Sequence, residues 1–310
     1  MGQKIGVVDL GSNSVKILVA EQSRDQNNPL GFQILGEKSW VTRLGRGIKN
    51  PGDPLNQESI HATDEALKEI QKFAAELELK PSELKAVGTA ALRRCGDPQK
   101  VSDLVKLHLG ISLEIISGEK EAELSFEAAL FSGHAVWGKN LPFLFAEIGG
   151  ASSQLGTSEF KDAVFSTPVG AVRVFESQES AASLLGKNNW TILKSKLKSK
   201  NVSRMVAVGG SLVLAAKLCP KAQPKPLLKN STNYLLKTSD FLEFSAYLSR
   251  LSLEDRKKIS GMDSLRADIL PAALEILGVF LNDFHIEELL VTSAGLRHGV
   301  VAEFFLESKS

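Results

Sequence analysis

Two glycine-rich turns, each set where an apolar stretch ends, constrain this 310-residue chain more than any other feature. The first is Ile5-Gly6-Val7-Val8-Asp9-Leu10-Gly11-Ser12-Asn13-Ser14, which leads into the run from Val15 to Ala20. The second is Phe143-Leu144-Phe145-Ala146-Glu147-Ile148-Gly149-Gly150-Ala151-Ser152-Ser153, which leads into Gln154-Leu155-Gly156. Each reads as a buried strand that delivers a carboxylate, then glycines, then hydroxyls, with a second strand leading away. Glycine lets successive backbone N–H groups turn toward one point, and converging amides and hydroxyls suit the oxygens of a phosphate. A carboxylate repels phosphate, so its place in such a turn makes sense when a hard cation such as Mg²⁺ lies between them. An ordinary hairpin turn draws on the same residue types. The repetition, in the same order, favours phosphate handling and two half-sites. Met205-Val206-Ala207-Val208-Gly209-Gly210-Ser211 is a third, weaker member.

Composition sets the outer limits. A chain of this length with 43% hydrophobic and 24% charged residues is an ordinary globular protein with room for two domains. No apolar run reaches the roughly 18 residues of a membrane span, and the N-terminus enters a strand rather than a signal peptide, so the expected location is cytoplasmic. Cys95 and Cys219 lack metal spacing and read as small buried apolar residues, and the five histidines form no ligand pattern. The net charge of +1 hides an asymmetry, because Ser180 to Ser239 holds eleven Lys or Arg and no Asp or Glu. Taking +11 from +1 leaves −10 for the remainder. Such a stretch is expected to form a basic surface that attracts polyanions. Nucleic acid is disfavoured, since Trp190 and Tyr234 are its only aromatics for base stacking.

Along the chain, 4–8, 15–20 and 31–42 read as a three-strand meander, followed by a helix over 57–77 and a short strand over 85–90. A helix over 101–109 and a strand over 113–116 come next, and Ser117 opens a helix running to about 131. The plan then repeats, with strands at 143–148, 153–156 and 161–167, helix, and a strand at 204–208. Pro220 to Asn230 reads as an exposed loop. Helices over 239–251, 252–259 and 266–282, a strand over 288–291 and a helix over 296–306 follow. The expected division is 1–122 for one domain and 123–298 for the other, with the last helix (299–310) able to pack back on the first. The apolar face of 266–282 could be buried internally or in a homodimer.

Glu121 is the candidate for the chemistry. With Ser117 as N-cap, it falls in the first turn of its helix, where the dipole favours the ionised carboxylate that can orient or deprotonate water. It also lies at the expected junction of the halves, facing the cleft between them. Arg93, after a strand-turn, is suited to grip phosphate oxygens. Arg266 and Arg297 sit at helix starts, where the dipole disfavours a cation, so each calls for a specific partner.

With these residues assembled, the chain resembles the exopolyphosphatase / guanosine pentaphosphate phosphohydrolase (Ppx/GppA) family in its short form, without the C-terminal helical domain. The resemblance rests on Val8-Asp9-Leu10-Gly11-Ser12-Asn13-Ser14, Val87-Gly88-Thr89-Ala90-Ala91-Leu92-Arg93 and Ile116-Ser117-Gly118-Glu119-Lys120-Glu121-Ala122. It continues through the second turn, Val169-Gly170-Ala171-Val172-Arg173, Val208-Gly209-Gly210-Ser211 and Gly295-Leu296-Arg297-His298-Gly299. It implies a duplicated actin-like, sugar-kinase-like (ribonuclease H-like) α/β fold of two domains with an interdomain cleft. It implies Mg²⁺-dependent hydrolysis of the terminal phosphoanhydride of polyphosphate or guanosine pentaphosphate. In that reading Glu121 activates water. Ser12, Asn13, Ser14, Arg93, Gly149, Gly150, Ser152, Gly210 and Ser211 hold phosphate, and Asp9 and Glu147 hold the metal.

The family pattern at the second turn is Asp-Ile-Gly-Gly-Gly-Ser-Thr-Glu, and here Glu147, Ala151 and Gln154 depart from it. These changes leave phosphate binding in place and put the rate of hydrolysis at issue. Two alternatives to the hydrolase therefore stand: a weakened relative that senses polyphosphate or guanosine tetra- or pentaphosphate, and an actin-fold kinase or ATPase.

Overall fold

The computed structural model describes residues 2–23, 31–197, 202–227 and 232–307. They form two compact units, one made of 1–125 with 296–310 and the other of 126–295.

The first unit begins with a meander of β1 (Lys4–Leu10), β2 (Ser14–Gln22) and β3 (Phe32–Val41). Helix α1 (Gln57–Glu76) follows, its N-terminus closed by Asn56 Oδ1 accepting from the Glu58 N–H at 2.8 Å. Then come β4 (Leu84–Gly88), α2 (Ala90–Arg94), α3 (Gln99–Leu109), β5 (Leu113–Ile115) and the start of α4 (Gly118–Trp137). The sheet order is β3-β2-β1-β4-β5, with the meander antiparallel and β1, β4 and β5 parallel.

Strand period sorts the core. Val8 and Leu10 of β1, with Val15, Ile17 and Val19 of β2, face α1 and α3. Ile5, Val7, Leu18 and Ala20 face the other way, toward Leu124 of α4 and the last helix. Asp9 continues the Ile5–Val7 face.

The second unit repeats the plan. It comprises β6 (Leu144–Ile148), β7 (Ser153–Thr157) and β8 (Phe160–Thr167), then α5 (Ala171–Ser177), α6 (Ala181–Lys187) and α7 (Trp190–Leu197). Next are β9 (Arg204–Val208), α8 (Gly210–Leu218), β10 (Gln223–Pro224), β11 (Asn233–Lys237), α9 (Thr238–Arg250), α10 (Leu253–Lys257), α11 (Leu270–Asp283) and β12 (Glu288–Thr292). Helix α12 (Leu296–Glu307) returns to the first unit and packs on β1 and β2.

The second sheet, read as β8-β7-β6-β9-β12-β11-β10, starts with the same five-strand order and the same pattern of directions as the first. β11 and β10 are its additions. Leu144, Ala146 and Ile148 face a core built with α5, α6, α8 and α11. Phe143 and Phe145 face Phe126, Ala129 and Leu130 of α4, and Glu147 continues that face.

Several expectations are revised. The Pro220–Asn230 loop contains β10, an edge strand where Pro224 needs no ladder donor, paired with a β11 that the sequence reading missed. α4 runs on to Trp137, six residues past the expected end, and α11 starts at Leu270 rather than Arg266. Of the two places open to the apolar face of α11, the structure shows it buried in its own unit's core. Both cysteines are buried and free. The described residues of the basic stretch lie on or beside α6, α7, β9, α8, β10 and β11. Lys187, Lys194, Arg204 and Lys221 are paired with Glu179, Asp283, Glu288 and the Asp240–Glu243 pair. Lys198, Lys200 and Lys229 lie outside the described residues. Among the described residues, no helix is long and apolar enough to cross a membrane.

Candidate active site

In the first unit, β1 brings Asp9 to the sheet end with 7% exposure, and the register sets Lys16 opposite it, Nζ 3.8 Å from Oδ2. The intervening turn closes on itself as the Gly11 N–H donates to Ser14 O at 3.1 Å. A returning segment covers it: Thr42 and Arg43 donate to Asn13 O and Gly45 donates to Ser12 O at 2.7 Å. A Cβ on Gly45 would lie 2.9 Å from Ser12 Cβ, so a side chain there would push the turn away. Ser12 and Ser14 are buried and Asn13 is half-buried.

The second unit uses the same backbone device. The Gly149 N–H donates to Ser152 O at 2.9 Å, while Ala171 and Val172 donate to Gly149 O and Gly150 O. A Cβ on Gly170 would fall 2.6 Å from Ala151 N and from the Gly150 carbonyl, a backbone collision. Gly45 and Gly170 therefore do the same task in the two units. Ala151 lies outside the positive-φ region, so the family's third glycine is replaced here without strain. Glu147 faces Gln154 across the β6–β7 ladder, as Asp9 faces Lys16. Gln154 is fully buried and its Nε2 donates to Ser152 Oγ at 3.0 Å. A Cβ on Gly295 would reach 3.3 Å from Glu147 Oε1.

The third glycine element opens α8. Gly209 has φ +146° and is the residue before the helix, while Gly210 and Ser211 form its first turn. A Cβ on Gly209 would meet Ile148 O at 2.7 Å, and one on Gly210 would clash with the Arg266 guanidinium, which also pairs with Asp263 at 3.0 Å. The partner expected for Arg266 is thus Asp263, beside the α8 N-terminus. Arg297 pairs with Glu37 at 3.2 Å and donates to Ile17 O.

Glu121 sits in the first turn of α4 with 7% exposure, and Ser117 Oγ caps the helix by accepting from the Lys120 N–H at 3.1 Å. Arg93 Nη1 donates to Glu121 Oε2 at 2.7 Å and to Ile116 O at 2.9 Å. The sequence had given these residues separate tasks, and the structure joins them. Leu124, one turn on, packs on the Ile5–Val7 face, so Glu121 and Asp9 belong to the same side of the first sheet. Beyond this, α12 carries His298 with 2% exposure and no hydrogen-bond partner on either ring nitrogen. Burial, helped by neighbouring Arg297, pushes its imidazole down to about 3. A His61–Asp64–Glu65 trio also gathers on α1, against the expectation of no histidine ligand pattern, but Lys68 is paired to both carboxylates at 2.7 Å.

Lys16, Gly45 and the Gln154–Ser152 bond were not singled out as site features from sequence. Hairpin register about the first turn would have placed Lys16 opposite Asp9. Gly45 and the Gln154 bond have no local signal.

Two sheets that share a five-strand meander-and-crossover order, each with a carboxylate and a glycine turn at the end of its first strand, define a duplicated actin-like α/β protein. The chain belongs to the Ppx/GppA phosphatase family, whose pattern matches residues 19–308. Its fold is similar to that of an exopolyphosphatase from Cytophaga hutchinsonii, at 22% identity and TM-score 0.85 over 99% of this chain and 98% of that one. It is also similar to the Aquifex aeolicus Ppx/GppA family member, at 24% identity and TM-score 0.70 over 99% of each chain.

Proposed function

We propose that this protein is a phosphoanhydride hydrolase that releases the terminal phosphate of inorganic polyphosphate or guanosine pentaphosphate. The observation that carries the reading is Glu121, a buried carboxylate held by Arg93 at 2.7 Å in the first turn of α4. The guanidinium bond fixes it in direction, as a group that orients water must be. Phosphoryl transfer asks mainly for alignment and charge neutralisation, and glycine turns rich in N–H and hydroxyl donors supply both.

The donor chemistry fits a hard divalent ion. Asp9 and Glu147 offer carboxylate oxygens, and they are the proposed holders of Mg²⁺, which would neutralise phosphate charge when bound. Ser12, Asn13, Ser14, Gly149, Gly150, Ser152, Gly210 and Ser211 are the proposed phosphate contacts. Arg93 is engaged with Glu121, so its main task in this reading is to position that carboxylate.

Phosphate release with Mg²⁺ from polyphosphate, guanosine pentaphosphate and ATP, beside Glu121→Gln, tests the proposal. The expected result is release from one of the first two, lowered about 100-fold or more in the variant with binding retained. The amide at Gln154 favours a second reading, a sensor. Tight polyanion binding without release from any substrate would replace the hydrolase with it.

A further inference from the structure

Gln154 stands where the family pattern has an acid, and its setting gives the amide a definite consequence. It is fully buried on β7, its Nε2 donates to Ser152 Oγ at 3.0 Å, and its Oε1 has no hydrogen-bond partner. A serine hydroxyl has one proton to give and two lone pairs to receive with. Because the amide N–H occupies a lone pair, the Ser152 proton must point elsewhere. The hydroxyl belongs to the turn closed by Gly149 N–H to Ser152 O, and among the described residues its proton has no acceptor.

A carboxylate at 154 would reverse this arrangement. It can only accept, so it would draw the Ser152 proton to itself and leave a lone pair facing any anion in the turn. It would also place a second negative charge opposite Glu147 in the ladder. We infer that Gln154 is a positioning residue that fixes the polarity of the Ser152 hydroxyl, making Ser152 a dedicated donor to a phosphate oxygen and the second turn a tighter anion site. The inference rests on the reading of that turn as a phosphate site. The donor contribution of Ser152 to anion binding should be measurable with no metal present.

The test is titration calorimetry of the full chain with tripolyphosphate in chelator, so that neither metal nor turnover contributes. Wild type should bind, and Ser152→Ala should weaken binding about tenfold, the scale of a hydrogen bond to a charged group. Gln154→Met, which keeps the volume, should weaken it severalfold in the wild-type background and less than twofold in the Ser152→Ala background. Gln154→Glu should weaken it most. Equal losses from Gln154→Met in both backgrounds, no effect of Ser152→Ala, or no binding by wild type would each overturn the inference. The hydrolase reading is judged separately, by phosphate release with Mg²⁺, so either can fail while the other holds.

Discussion

At the first turn Asp9 faces Lys16 across the ladder, while at the second Glu147 faces Gln154, although both turns close with the same glycine N–H bond. Both are also covered by a returning segment whose glycine cannot carry a side chain without moving the turn. The duplication has therefore kept the backbone cradle and let the cross-strand residue vary. That residue sets the charge. The pair at the first turn sums to zero, while Glu147 with a neutral amide leaves one negative charge. A family-type acid at 154 would have made it two. In the proposed reading the cradle is what holds an anion, and the ladder partner sets how much cation the turn demands.

The largest expected effect separates the two units as wholes. The first contains the buried His298, and the described histidines of the second, His134 and His285, are not buried. From its ordinary 6.5 down to about 3, the unfolded chain binds a proton at residue 298 that the folded chain excludes. Stability should then fall as pH falls, on the order of 1.4 kcal/mol per pH unit and about 3 kcal/mol by pH 4. Urea midpoints at pH 7, 5.5 and 4 should show this slope in wild type and not in His298→Leu. Equal slopes would assign the acid sensitivity to other groups.

The cradles themselves come next. Gly170→Ala drives a Cβ to 2.6 Å from backbone atoms and should cost about 3 kcal/mol, while Gly45→Ala brings one to 2.9 Å from the Ser12 Cβ and 3.2 Å from its carbonyl and should cost about 2 kcal/mol. Thermal unfolding that ranks them the other way would break the equivalence drawn between them. Arg93→Ala removes the guanidinium bonded to the buried Glu121 carboxylate and should cost about 2 kcal/mol, measured against Arg93→Lys, which keeps the charge. The smallest effect is expected for Lys16→Gln, which gives the first turn the second turn's partner. At 3.8 Å and 26% exposure, the lost pair should be worth under about 1 kcal/mol in chemical denaturation.

Much of the architecture was legible because period and punctuation agreed. The two meanders, α1 and β12 fall within a residue or two of where apolar alternation and glycine placed them. The misses share a cause, which is that long-range pairing overrode local composition. β10 forms in a Pro-Lys-Pro context only because β11 offers it an edge, and nothing near 223 announces that strand. The acidic partners of Lys194 and Arg204 were hidden for the same reason. Asp283 and Glu288 are far away in sequence and adjacent in the fold. At the site, the residue types could be read from the turns. The joining of Arg93 to Glu121 could not, since 28 positions separate them and only the β4–β5 pairing brings them together.

The return of α12 to the first sheet has a consequence for how the chain is made. Val300, Val301 and Phe305 cover one face of β1 and β2, yet they leave the ribosome only after every residue of the second unit. The second unit can close as it emerges, while the first must wait with Val7 and Leu18 uncovered. A nascent chain halted at Gly295 would therefore offer chaperones one finished body and one open sheet.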